Sequence, residues 1–231
     1  MLPRMLEGLR IIDLTQPVGP ATPPWPEGGT PLEATVTATY DDGGCYVRRI
    51  AVDEHYGTHF DAPAHYARDG LRVEAVPAAS LVRPAIVVDV RAACAGDPDH
   101  KVPPETFEAW EAEHGRIPPG TAVLVMTGWD AHRGDPDRYL SDLRFPGLST
   151  DAGRLLVERQ VAGIGIDTLG IDPGCEPDCP THHITMPAGQ WHLEGLVELD
   201  QLPPTGAWIV AGAMRLADGS GAPARVIALV P

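Results

Sequence analysis

Positive charge is scarce in this chain. Seventeen Lys and Arg stand against 32 Asp and Glu in 231 residues, a formal net charge of -15. Phosphate backbones and anionic membrane surfaces would be repelled by such a molecule, so neither nucleic acid nor a membrane is an expected partner. Long apolar runs are missing too: no stretch approaches the roughly 20 residues that span a bilayer. The opening Met-Leu-Pro-Arg-Met-Leu-Glu lacks the apolar core and small-residue cleavage site of a signal peptide. A cytoplasmic protein is expected. Cysteine is limited to Cys45, Cys94, Cys175 and Cys179, and only the last two are close in sequence. In a reducing compartment all four read as free thiols, and Cys175-x-x-x-Cys179 as loop thiols rather than a disulfide or a metal clip. Internal repeats and low-complexity blocks are also absent.

Glycine and proline, by contrast, are plentiful at 25 each. They are spread along the chain and mark many turns rather than one disordered tail. The length suits a single domain over residues 1–231 with a large core. Leu9–Leu14 and Ala85–Val90 read as buried strands, the second apolar on both faces. Pro17–Pro31 is a proline-rich ordered loop. Thr35–Tyr40 and Cys45–Val52 read as a hairpin across Asp41-Asp42-Gly43-Gly44. Pro104–His114 and Ser149–Arg159 read as helices, the second capped by Ser149 or Thr150. Ala122–Met126, Val161–Ile166, Trp208–Ala211 and Val226–Val230 complete the strands. The pattern predicts an α/β fold on a compact mixed sheet.

Histidine is concentrated. Six of the nine lie in two segments, and His55-Tyr-Gly-Thr-His59-Phe-Asp61-Ala-Pro-Ala-His65 alone holds three of them and a carboxylate. Imidazole and carboxylate are the donors that borderline divalent metals take, and a further His can act as a base. Positions 55, 59, 61 and 65 share one parity, but a straight strand over ten residues covers about 33 Å, far too long for one ion. Pro63 and Tyr-Gly-Thr make a helix poor. The segment must therefore bend, at Gly57 and Pro63. The second segment carries Thr181-His182-His183 and Gly189-Gln190-Trp191-His192-Leu193-Glu194. Here His182 and Glu194 are candidates for a second metal, with Asp61 as a bridge. His100, His114 and His132 read as solvated surface residues.

Residues 55–65 fit at every fixed position the pattern His-x-Gly-Thr-His-x-Asp-x-Pro-x-His. This resembles the cyclase-like family of metal-dependent hydrolases, which includes bacterial kynurenine formamidases and isatin hydrolases. Asp13-Leu-Thr-Gln-Pro17, Pro24-Trp25-Pro26, Thr127-Gly-Trp129, Gly165-Ile-Asp-Thr-Leu169 and Leu199-Asp-Gln-Leu-Pro203 extend the resemblance, and Gly221–Arg225 resembles the family's final turn. The resemblance implies a swivelling β/β/α fold, commonly dimeric, so a homodimer or higher homo-oligomer is expected. It implies one or two divalent ions, zinc or manganese, held by His55, His59 and Asp61 and by Asp61, His182 and Glu194. His65 becomes the acid–base residue. Tyr56, Glu198 and the Cys175–Cys179 loop depart from the family pattern without touching a proposed ligand.

The reaction so implied is hydrolysis of a small amide, with N-formylkynurenine to kynurenine and formate placed first. Lactam opening of an isatin-type ring, or a biosynthetic cyclisation or dehydration, is the alternative; a non-enzymatic metal-binding role is the second alternative. Trp25 is a candidate to stack on an aromatic substrate, its other reading being a packed residue of the proline-rich loop.

Overall fold

The computed structural model describes residues 7–231. The opening stretch read as lacking a signal peptide lies almost wholly outside them. In chain order the strands are β1 (Arg10–Asp13), β2 (Glu33–Ala38), β3 (Val47–Ala51), β4 (His59–Asp61), β5 (Val82–Asp89), β6 (Lys101–Val102), β7 (Ala122–Met126), β8 (Gly147–Leu148), β9 (Gly163–Ile166), β10 (Trp191–Glu194), β11 (Ala207–Ala213) and β12 (Gly221–Val230). The α-helices are α1 (Tyr40–Gly43), α2 (Arg91–Cys94), α3 (Pro104–His114), α4 (Pro136–Leu140), α5 (Thr150–Glu158) and α6 (His182–Thr185).

The fold is mixed α/β around a closed sheet. Its strand order is β1-β12-β11-β5-β7-β9-β10-β4, and β4 pairs again with β12. β5, β7, β9 and β10 run parallel; the remaining pairings of this sheet are antiparallel. Closure depends on the length of β12. One edge of it follows β11, while the other carries β1 at residues 227–230 and then β4 at Gly221–Pro223. Residues 221–225, expected as a turn, are therefore the start of a strand. Their small side chains let β4 come close: a Cβ on Gly221 would lie 2.6 Å from the Phe60 carbonyl oxygen.

The central strands are aliphatic throughout because both of their faces are covered. Ala85, Val87, Leu124, Phe60, Leu193 and Ile209 share one core. The alternate positions Ile86, Val88, Val123, Val125, Ile164 and Ile166 pack against Phe107 and Trp110 of α3 and Ala152, Leu155 and Leu156 of α5. Ser149 caps α5, its Oγ accepting from the Ala152 amide at 3.2 Å. Arg159 grips Glu111 with two nitrogens at 2.8 and 2.9 Å and ties the two helices together.

The expected hairpin is present. β2 pairs with β3 from Glu33↔Ala51 onward, and the Asp41-Asp42-Gly43 connection is one helical turn, α1, capped by Thr39. β3 is exposed along its whole length. Among the described residues, no helix is long and apolar enough to cross a membrane.

Gly163 is the tightest point between β9 and β10: a Cβ there would lie 2.2 Å from the Trp191 ring and 2.5 Å from its carbonyl oxygen. Gly163→Ala is expected to destabilise the protein by about 3 kcal/mol, the upper range for overpacking, read as a lower urea midpoint with an unchanged slope.

Candidate metal centre

The segment 55–65 bends where its sequence allows. Gly57 takes φ +63°, and Pro63 opens a single 3-10 turn over Pro63–His65. Thr58 locks the bend: its hydroxyl donates to the Gly195 carbonyl at 2.5 Å and accepts from the Gln16 amide at 3.0 Å. The bend folds His55 back onto β4, so that His55 Nδ1 lies 2.6 Å from Asp61 Oδ1.

β4 and β10 then form a square of donors. Their antiparallel register sets Glu194 opposite His59 and His192 opposite Asp61. Side chains alternate along a strand, so these four share one face while Phe60 and Leu193 enter the core behind it. His59 Nε2 lies 3.2 Å from both Asp61 Oδ1 and Glu194 Oε2, and His59 Nδ1 lies 3.0 Å from the Gly57 carbonyl. α6 lowers His182 onto the square, its Nε2 3.3 Å from Glu194 Oε1. Asp172 fixes that ring: it accepts from His182 Nδ1 at 2.5 Å and from the amides of His182 and Thr181 at 3.1 and 2.7 Å. The Ile171 amide donates to Glu194 Oε1 at 2.8 Å.

Burial works against ionising Asp61 and Glu194, but the surrounding imidazoles outweigh it. Asp61 is held well below the ordinary carboxylate range and Glu194 at about 2. Burial also opposes charge on His59 and His182, yet the carboxylates raise both well above the usual imidazole value. The cluster thus attracts positive charge from whatever source. Burial drives His192 the other way, down to about 3, so it is neutral. Even with protons on His59 and His182, Asp61 Oδ2 and His192 Nδ1 are buried without a hydrogen-bond partner. A buried set of nitrogen and carboxylate donors with unpartnered lone pairs fits a divalent cation. Single donor atoms of Asp61, His182, His192 and Glu194 lie within 4.8 Å of one another, as do those of His55, Asp61 and His65.

A cavity of about 280 Å³ opens over the cluster. Its walls include Trp25, Tyr66, Tyr139, Leu143, Phe145 and Leu169. Trp25 meets Phe145 edge-on at 6.4 Å between centroids. His65 stacks on His55 at 3.8 Å and lines the same cavity. Tyr56, buried beneath, binds the Thr22 carbonyl through its hydroxyl and holds the proline-rich loop against the site. All six proposed residues of the two histidine segments therefore converge, and Trp25 stands at the cavity wall. His183 is exposed and packs on Tyr66, and Glu198 is bound to Arg133, so neither enters the cluster. The four cysteines are free. Sequence reasoning missed His192 and Asp172. His192 was legible in principle, since it has the parity of Glu194 on one short strand; Asp172 lies on a loop with no periodicity to mark it.

The Cyclase family model matches residues 12–173. Isatin hydrolase of Roseibium aggregatum is 33% identical over 250 residues, covering 99% of this chain and 95% of that protein. Kynurenine formamidase of Salinibacter ruber is 31% identical over 221 residues, covering 95% and 97%. The crystal structure of an isatin hydrolase bound to the product analogue thioisatinate aligns with TM-score 0.93 at 31% identity, covering 99% of this chain and 95% of that one.

The hold of Asp172 on His182 is open to test. Asp172→Ala frees the ring and is expected to weaken divalent-metal affinity about 10–100-fold, as loss of a residue behind a metal ligand does. Equilibrium dialysis against zinc or manganese measures it, and unchanged affinity would show that Asp172 does not orient a ligand.

Proposed function

The chain belongs to the cyclase family of metal-dependent hydrolases, and we propose that within it this enzyme opens a small, neutral aryl lactam of the isatin type. One observation carries the choice of substrate: among the described residues lining the cavity there is no Lys or Arg, while Glu27 and Glu176 are present. N-formylkynurenine brings an α-ammonium and an α-carboxylate, and the described lining has no Lys or Arg to pair with the latter. An isatin-type ring is flat and uncharged, and it suits walls formed by Trp25, Tyr66, Tyr139 and Phe145. Formamide hydrolysis, placed first on the sequence alone, becomes the second reading, favoured by the 31% identity to a kynurenine formamidase.

His55, His59 and Asp61 on one side, and Asp61, His182 and Glu194 on the other, are the residues assigned to hold one or two divalent ions, and donors of this type suit zinc, manganese or iron alike. Such an ion lowers the pKa of a bound water from about 16 towards 7 and polarises a carbonyl. His65 supplies the proton transfer. Burial, with His55 and His182 nearby, pushes its imidazole down to about 4, so at neutral pH it offers a free lone pair. It takes a proton from the attacking water and returns it to the ring nitrogen as the C–N bond breaks, leaving an aryl amine and a carboxylic acid that releases its proton to solvent. Trp25 and Phe145 orient the ring.

A homodimer suits the surface. Val36, Tyr40, Tyr46, Val47 and Ile50 are exposed on and around the β2–β3 hairpin, an apolar display that a two-stranded unit does not sustain alone. Sedimentation equilibrium is expected to give twice the chain mass; a monomer at micromolar concentration would refute it.

Two kinetic outcomes follow for the reaction. kcat/KM for isatin is expected to exceed that for N-formylkynurenine at least tenfold, with both lost on chelation and restored by zinc or manganese; the reverse ratio would favour the formamidase reading. His65→Ala is expected to lower kcat about 10²–10⁴-fold, the usual worth of an acid–base group, while bound metal measured by atomic absorption stays constant. Loss of metal would make His65 a ligand instead.

A further inference from the structure

His192 is fully buried on the donor face of β10, and its hydrogen bonds determine which nitrogen carries the proton. The Thr185 hydroxyl donates to the Thr181 carbonyl at 2.8 Å, which uses its one proton. Towards His192 Nε2, also 2.8 Å away, that oxygen can therefore only accept. With the Thr185 proton on the Thr181 carbonyl, the proton of this contact belongs to His192 Nε2, which leaves Nδ1 a lone pair for a cation. Nδ1 faces Asp61 Oδ2 at 3.9 Å, too far for a hydrogen bond, and neither atom has a partner. The two are directly opposed in the ladder, so the register holds them there. His182 Nε2, 3.7 Å from Asp61 Oδ2, and His192 Nδ1 thus converge on the same buried carboxylate oxygen from two sides. His182 and Glu194 bring two further donor atoms within 4.8 Å of both.

We propose that His192 is a fourth protein ligand, closing an inner site of Asp61, His182, His192 and Glu194 around one divalent cation of the zinc class. The inference rests on the metal dependence of the reading above, not on its substrate. Four protein donors complete a tetrahedral shell. The inner ion then presents no open position to the cavity, and open positions are confined to the His55 and His59 side of Asp61.

Zinc titration of the whole protein against a competing chelating dye tests this. Two binding steps per chain are expected, and His192→Leu, which keeps the volume without a donor, should weaken one of them at least tenfold and leave the other within twofold. Unchanged isotherms would overturn the proposal. Because a buried variant can fail to fold, a second measurement uses the native sequence. With ¹⁵N-labelled histidine, His192 Nδ1 should resonate as a bare imine nitrogen in metal-free protein and shift on adding zinc. A resonance that stays in place through saturation would equally overturn the proposal. Neither readout uses turnover. Inactive protein that binds zinc through His192 would sink the hydrolase reading alone, and active enzyme with an unmoved His192 signal would sink this inference alone.

Discussion

Asp61 and Glu194 are two carboxylates buried against one another on adjacent strands, and the rest of the site is organised by the need to compensate them. Removing one carboxylate from water is costly, and removing two that repel each other is more so. Every element around them supplies positive charge or a donor: His59 from the same ladder, His55 from across the Gly57 bend, His182 from α6, and the Ile171 amide. The carboxylates in turn raise the proton affinity of His59 and His182 well above the usual imidazole value. A divalent cation would compensate the pair more completely, because it also reaches the lone pairs that no proton satisfies.

That arrangement requires a closed sheet. β4 is three residues long, too short to be stable as an edge, and it is held because β10 pairs with one side of it and β12 with the other. The small residues at the start of β12 allow that approach. Closure also separates two environments. Phe60 and Leu193 go to the apolar interior, while His59, Asp61, His192 and Glu194 turn to the face covered by α6 and the 3-10 turn at Pro63. The cavity above combines aromatic walls with a described lining that holds no Lys or Arg.

Much of the site was legible because its motif is local. The Gly-Thr pair and Pro63 announce a bend that steric reasoning alone requires, and the parity of His59 and Asp61 places them on one face. The central strands and the two longer helices follow from their apolar runs and caps. Other features depend on contacts distant in sequence. Gly221–Arg225 has turn-like composition yet forms a strand, because pairing with β4 overrides local preference. α6 is a single turn with no apolar period, and Asp172 lies on an irregular loop. His192 shares the parity of Glu194, but only the register of β10 against β4 sets it opposite Asp61.

The sequence by itself determined the chemistry available: three histidines and a carboxylate in a segment forced to bend, and a second pair spaced for the same kind of donor set. It also determined the acidic surface and the aliphatic strands that build the barrel. Only the tertiary structure decided that the two segments meet, that Asp61 stands between them, and that His192 and Asp172 belong to the site. The reason is physical. Ligand identity is a property of side chains, but convergence is a property of strand register, and the register of β4 against β10 is set by barrel closure across more than a hundred intervening residues.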